Sequence, residues 1–231
     1  MSVSESIKID IWSDIACPWC YIGKRKFETG AAAFAEQAGA NAPEVTIEYH
    51  SFELAPDTPV DFDGDEVEFL STHKGMPAEQ VRGLLDNVSS IAKATGLDYN
   101  YDILKHTNTV KAHQLLHYAK AHGKQLETKE RLLKAYFTEG RHVGRIEDLA
   151  DLAAEIGLDR DDVVRSLTAD EYLGDVRADQ AQGHEYGIQG VPFFVIDGKY
   201  GVSGAQEAAA FAQILDQVWM ERQMEDEGAT A

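Results

Sequence analysis

Strand signals occur only at the two ends of this chain, and everything between them has the period of helices. That arrangement limits the fold more than any composition figure. Ile7-Lys8-Ile9-Asp10-Ile11-Trp12 alternates polar and apolar residues before turning mostly apolar, and Glu44 to Phe52 alternates and is rich in β-branched residues. Both read as strands. Between them, Pro18 to about Gln37 reads as a helix, with proline in its first turn and Gly39 at its stop. Strand, long helix, strand is a βαβ unit, which pairs its strands in parallel. Near the other end, Val191 to Ile196 is short and apolar, and Asp197-Gly198-Lys199 carries the Asp-Gly hairpin signal. Tyr200 to Ser203 then returns as a partner strand. Ala205 to about Met220 closes the chain as a helix with Phe211, Ile214, Leu215 and Val218 inward.

The middle is different. Pro56 to Gly64 is rich in Pro and Asp and reads as a loop. From about Glu66 to Gly183 the period is helical throughout, with a start at Pro77-Ala78-Glu79-Gln80 and a stop at Gly96. Further helices are expected over Asn108 to Ala121, Leu126 to Glu139 (Leu132, Leu133, Tyr136 and Phe137 on one side), Ile146 to Ile156, Asp161 to Leu167 and Glu171 to Gly183. The fold class is therefore α/β, in the order β-α-β, helical insert, β-β-α. The expected domains are 1–60 with 184–222 as the sheet-bearing core, 65–183 as an inserted all-helical domain, and 223–231 as a frayed acidic tail.

The 231 residues carry 40 acids against 21 bases, a net charge of -19. Such a surface repels phosphate backbones and anionic headgroups, so neither nucleic acid nor a membrane is an expected partner. A solvated acidic surface is the simplest account. MSVSESIKIDIWSD lacks a basic stretch followed by an apolar one, so no secretory signal is expected. No apolar run reaches about 18 residues, the length a membrane span needs. A cytoplasmic location is the expectation.

Cys17 and Cys20 are the only cysteines, in Cys17-Pro18-Trp19-Cys20 at the start of the first helix. A zinc site would need two more ligands, and a four-residue loop closed by a structural disulfide would stabilise little. Redox exchange is the reading favoured over both. With Cys17 at the N-cap and Pro18 at the first helical position, the Cys17 sulfur meets unpaired N–H groups at the positive end of the helix. Such placement lowers a thiol pKa from about 8.5 to roughly 3.5–7.5. Residues three apart on a helix lie about 5–6 Å from each other, inside the roughly 4.4–6.8 Å that a disulfide spans between Cα atoms. Cys17 is then the attacking thiol, and Cys20, deeper in the turn, resolves the mixed disulfide.

Several residues around this pair invite a role. Trp19 is expected to be partly exposed and to contact substrate, and Trp12 to pack in the core. Asp14 stands just before the dithiol, with no direction of influence legible. His106, His113 and His117 lie seven and four apart and could share a helix face as metal ligands. Ordinary surface and interdomain histidines are the simpler account, although His113 near Cys17 would stabilise a thiolate. Pro192 opens an apolar strand, where proline is tolerated, and both a cis and a trans Val191-Pro192 bond are compatible with that position. A cis bond would turn the Val191 backbone outward to pair with substrate beside Cys17.

The strand–CPWC–helix opening followed by Tyr21-Ile22-Gly23-Lys24, together with Gly190-Val191-Pro192-Phe193-Phe194 and Gly204-Ala205-Gln206, resembles the DsbA-like thioredoxin superfamily. Within it, Asn108-Thr109, Ala112-His113, Ala135-Tyr136-Phe137 and Glu139-Gly140 are similar to the cytoplasmic FrnE-type oxidoreductases. The resemblance covers nearly the whole chain. It implies a thioredoxin-like core with a helical insertion, a cis Pro192, and thiol–disulfide exchange through Cys17 and Cys20. Pro18, Trp19, Val191 and Pro192 would contact the substrate. It also implies thiol or disulfide substrates, of protein or small-molecule kind. Neither a metal nor a cofactor is expected beyond the redox-active disulfide, with glutathione open as a co-substrate. Some FrnE-type proteins carry a further cysteine motif, and this chain has no third cysteine. A neighbouring branch, the 2-hydroxychromene-2-carboxylate isomerases and kappa-class glutathione transferases, typically has serine at the position of Cys17. A glutathione-dependent isomerase or transferase is thus the alternative expectation, and a peptide-binding chaperone using the insert as a clamp is a third.

Overall fold

The computed structural model describes residues 6–229, with nothing assigned to the side chains of 226–229. The first residues of the leader reading (1–5) and the last two of the expected tail (230–231) lie outside the described residues. Strand β1 (Ile7–Ser13) leads through a short loop into α1 (Pro18–Ala38), and β2 (Val45–Ser51) follows. Seven helices come next: α2 (Glu66–Lys74), α3 (Ala78–Ala94), α4 (Val110–Ala121), α5 (Gln125–Phe137), α6 (Ile146–Glu155), α7 (Arg160–Thr168) and α8 (Leu173–Glu185). The hairpin β3 (Phe193–Ile196) and β4 (Tyr200–Ser203) and the helix α9 (Ala208–Ala229) complete the chain.

The sheet order is β2-β1-β3-β4. β1 runs parallel to β2, as the βαβ reading requires, and antiparallel to β3, with Ile9 opposite Ile47 on one side and Ile11 opposite Phe194 on the other. The three-residue connection Asp197-Gly198-Lys199 places Asp197 and Gly198 at φ 57° and 65°, left-handed conformations that suit a tight turn between twisted strands. Helix α2 begins with a capping box, in which the Asp65 carboxylate accepts from Glu68 N and the Glu68 side chain accepts from Asp65 N. It ends at Gly75 in the left-handed conformation.

Two apolar cores result. Ile7, Ile9, Ile11, Phe194 and Ile196 of the sheet pack against Phe27 and Phe34 of α1 and Phe211 and Leu215 of α9. Helices α1 and α9 approach closely at Gly30, where an added Cβ would lie 2.4 Å from the Ala208 carbonyl oxygen and 2.8 Å from Phe211 Cβ. The second core fills the helical insertion, yet it also takes in Ile15, Tyr21 and Ile22. The segment carrying both cysteines is therefore held between the two cores.

One expectation is corrected at the C-terminus. Helix α9 runs on to Ala229 instead of stopping near Met220, so most of the stretch 223–231 expected to fray is helical. The run from Met220 to Glu227 lacks any helix-breaking residue, and its polar side chains reach back to the hairpin. Arg222 pairs with Asp197, and Glu225 lies 3.2 Å from Lys199 Nζ. Among the described residues no helix is long and apolar enough to cross a membrane.

Candidate active site

Cys17 is the N-cap of α1 in an extended conformation, Pro18 follows at the first helical position, and Cys20 sits in the first turn. Both cysteines are reduced and buried. The turn is clamped from outside its own helix. The Tyr99 hydroxyl of the insertion donates to the Pro18 carbonyl at 2.7 Å. The Tyr21 hydroxyl donates to Glu130 of α5, also at 2.7 Å. Val191-Pro192 is cis, and the Cys17 thiol lies 3.4 Å from the Val191 carbonyl oxygen, which can accept its proton. Trp19 is partly exposed at 37% and Trp12 is buried, both as expected.

The electrostatics differ from the helix-terminus expectation. Cys17 faces Cys20 across a thiol–thiol hydrogen bond. That bond and burial push the Cys17 thiol well above its ordinary range, while the N–H of Cys20 pulls weakly the other way. Burial also opposes charge on Cys20, but the hydrogen bond from Cys17 and the ammonium of Lys129 outweigh it and hold Cys20 below the ordinary thiol value. Two thiols in contact release their protons as a pair. The first proton leaves readily and the second is retained along the bond. The positive end of α1 is only one contributor among these, and not the largest.

Lys129 is the residue that sequence reasoning missed. It lies on α5, fully buried, with no hydrogen-bond partner for its Nζ among the described residues. Its Nζ lies over the Tyr49 ring, 5.3 Å from the centroid. Burial lowers its pKa to about 8, against the opposing pull of charge on Cys20, Asp14 and Cys17. The signal was present in the sequence: Lys129, Leu132, Leu133 and Tyr136 share the inward stripe of α5 at helical spacing.

Asp14 is sealed beneath the loop that carries Cys17. Its carboxylate accepts from Ile15 N at 2.7 Å, Leu54 N at 2.8 Å, the Thr109 hydroxyl at 2.9 Å and His113 Nε2 at 3.2 Å. Burial would raise its pKa, but the hydrogen bond from His113 and the other donors keep it below the ordinary carboxylate value.

The three histidines are not surface residues, and they do not converge. His106 pairs with Glu66 at 2.8 Å, His113 with Asp14, and His117 with Asp179 at 3.0 Å. All three are buried. Burial follows from their inward positions in the insertion, and each pairs with a different acid, so the three do not form one ligand set. His113 acts on Asp14 and not on the sulfur.

A cleft of about 460 Å³ opens beside the dithiol. Cys17, Trp19 and Val191 line it together with the apolar Phe69 of α2 and Leu85 of α3, and Glu66, Tyr101 and His106 add polar residues to the lining. It lies between the thioredoxin-type core and the insertion.

A paired dithiol at a helix N-terminus, facing a cis-proline loop on a four-stranded mixed sheet, defines the thioredoxin class of folds. The chain belongs to the DSBA-like thioredoxin domain family, which matches residues 8–216. It is 40% identical to a probable DsbA oxidoreductase from Streptomyces coelicolor, whose crystal structure superposes with a TM-score of 0.84 over 93% of this chain and 91% of that one. It is 28% identical to the uncharacterized protein YwbO of Bacillus subtilis, over 91% of this chain and 96% of the relative. A 2-hydroxychromene-2-carboxylate isomerase shares the fold alone, at 17% identity and a TM-score of 0.64, over 97% of this chain and 99% of that one.

Proposed function

We propose that the protein is a FrnE-type cytoplasmic thiol–disulfide oxidoreductase that exchanges disulfides through Cys17 and Cys20. The observation that carries this is the buried Cys17–Cys20 pair at the N-terminus of α1, with the Cys17 thiol against the carbonyl of Val191 in the cis Val191-Pro192 loop and a cleft beside it. In the reducing direction, the Cys17 proton passes to the Cys20 thiolate along their shared bond. The Cys17 thiolate attacks one sulfur of a substrate disulfide and forms a mixed disulfide, and the other sulfur leaves as a thiolate. Once Cys20 has given up its proton, its thiolate attacks Cys17 Sγ, closes the Cys17–Cys20 disulfide and releases the second substrate thiolate. Two electrons move from the dithiol to the substrate, and the reverse sequence oxidises a substrate dithiol. Pro18, Trp19, Val191 and Pro192 form the contact surface around the attacking sulfur. No cofactor beyond the redox-active disulfide is needed, and glutathione would serve as the recycling thiol.

The test is reduction of insulin in dithiothreitol and oxidation of a reduced dithiol peptide. Both are expected to be lost with Cys17→Ser, and full activity in that variant would overturn the reading. The shared fold of the isomerase and the cleft beside Cys17 favour one second reading, glutathione-dependent isomerisation. That reading requires turnover to survive Cys20→Ser.

A further inference from the structure

The residue after Lys129 ties its helix to the one that carries the dithiol. Successive helical residues point in different directions, so Lys129 faces inward while Glu130 turns to α1. Both oxygens of the Glu130 carboxylate are taken up there. Oε1 accepts from the Tyr21 hydroxyl at 2.7 Å and from Arg25 Nη2. Oε2 lies 2.7 Å from Lys24 Nζ and accepts from Arg25 Nη1 at 3.0 Å. Tyr21, Lys24 and Arg25 share one face of α1 at helical spacing, and Tyr21 is the residue next to Cys20. Burial and Glu130 keep the proton on Tyr21. Burial opposes charge on Glu130, but the hydrogen bonds from Arg25, Lys24 and Tyr21 hold its pKa at about 2. The tie is therefore made in full at neutral pH.

This tie matters because no hydrogen bond fixes the Lys129 charge. Lys129 is fully buried, and its Nζ has no hydrogen-bond partner among the described residues. Its place follows from the backbone of α5 and from packing. The charges that act on it are those of Cys20, Asp14, Cys17 and Lys24, all at or just before the start of α1, and Tyr49 of β2 presents its ring. Electrostatic interaction weakens with distance, so the seating of α5 on α1 sets how strongly the ammonium acts on the sulfurs. Helix α5 also packs on α4, β2 and α6, none of which carries a cysteine. Its join to the dithiol helix runs through side chains: Glu130, and the Phe137 ring 6.4 Å from that of Tyr21.

We propose that Glu130 is a positioning residue for the exchange: its tie to Tyr21, Lys24 and Arg25 seats α5 on α1 so that the buried Lys129 charge acts on Cys20. The proposal rests on the reading of Cys17 and Cys20 as the exchanging dithiol. The influence of Glu130 reaches the sulfurs through Lys129, and that gives it a distinctive sign. Removing an anion near a thiol by itself favours the thiolate and lowers the ionisation midpoint. Loosening the seat of Lys129 weakens a cation's hold on the thiolate and raises the midpoint. The direction of the shift separates the two.

The experiment follows thiolate absorbance in the ultraviolet against pH in the reduced full chain. It compares wild type, Glu130→Gln, Tyr21→Phe, Lys129→Met and the double variant of Glu130→Gln with Lys129→Met. Glutamine keeps an acceptor for the Tyr21 hydroxyl and gives up the ion pairs, while Lys24 and Arg25 retain Glu28 as a partner. Glu130→Gln is expected to raise the first midpoint of the dithiol by about half a pH unit, a roughly threefold loss of thiolate below that midpoint. In the Lys129→Met background the same change is expected to raise it no further. Tyr21→Phe removes one oxygen and no charge, and it takes the place of Glu130→Gln in this comparison should that variant fail to fold. An unchanged midpoint, a fall, or a rise that persists without Lys129 would overturn the proposal. The titration decides the role of Glu130 without turnover, whereas failure of the wild type to reduce insulin would overturn the exchange reading.

Discussion

His113 Nε2 lies 3.2 Å from Asp14 Oδ1, and neither residue reaches solvent. The pair joins the end of β1 to α4 across 99 positions of sequence, and the same carboxylate fixes the loop after β2 through Leu54 N. Cys17 is held at the edge of this junction. Replacing Asp14 by alanine strands four buried donors at once, which is expected to destabilise the fold by roughly 3–5 kcal/mol. Asp14→Asn keeps an acceptor oxygen and is expected to lose less. Thermal melts of the two variants check the order, and equal melting temperatures for wild type and Asp14→Ala would contradict it.

The charge beneath Cys20 belongs to Lys129. Its ammonium favours the first ionisation of the dithiol, so Lys129→Met is expected to raise the midpoint of that ionisation by roughly 1–2 pH units. The sign is fixed by the direction of the interaction: removing a cation penalises the thiolate. The difference should be largest below pH 8, since the lysine itself deprotonates at about 8. The pH profile of iodoacetamide alkylation measures it, and the variant should react more slowly at neutral pH because less of the pair is thiolate. An unchanged profile would remove Lys129 from the site.

His50 bridges Asp10 and Asp179, each at 2.8 Å. Burial opposes its charge, yet the hydrogen bonds to Asp10 and Asp179 raise its pKa to about 9. A histidine whose folded pKa lies above its unfolded value of about 6.5 contributes stability that is complete below that value and lost as pH rises through the folded one. The chain is therefore expected to lose stability between about pH 6.5 and pH 9, on the order of 3 kcal/mol at about 1.4 kcal/mol per unit. His50→Gln should flatten that dependence. Denaturant melts at several pH values across the window measure it, and parallel slopes for both proteins would refute it.

Gly30 sets how closely α1 and α9 approach. An alanine there would place its Cβ 2.4 Å from a backbone oxygen that cannot rotate away, so the helices must separate. A loss of roughly 1–3 kcal/mol is expected for Gly30→Ala, read as a lower denaturant midpoint, whereas Gly83→Ala, with open space around its Cβ position, should not destabilise.

The sequence by itself determined the order of elements, the helical insertion between β2 and β3, and the placement of Cys17 and Cys20 at a strand-to-helix turn. These are local matters. Periodicity, Pro18, Gly39 and the Asp197-Gly198 turn act within a few residues of themselves, so a one-dimensional reading reaches them. The tertiary structure decided the character of the site. Lys129 stands on the inward stripe of α5 in the sequence, but what it faces appears only once α5 is packed against β2 and its charge acts on Cys20. His106, His113 and His117 read as one possible ligand set until burial gives each its own acid. The helix terminus alone would make Cys17 the thiolate, but contact with Cys20 and loss of water redistribute the charge over the pair. Burial and charge pairing arise between residues about a hundred positions apart, and the dielectric around a group is set by everything packed against it. That is why the dithiol was legible in Cys17-Pro18-Trp19-Cys20, and why its ionisation and its cleft were not.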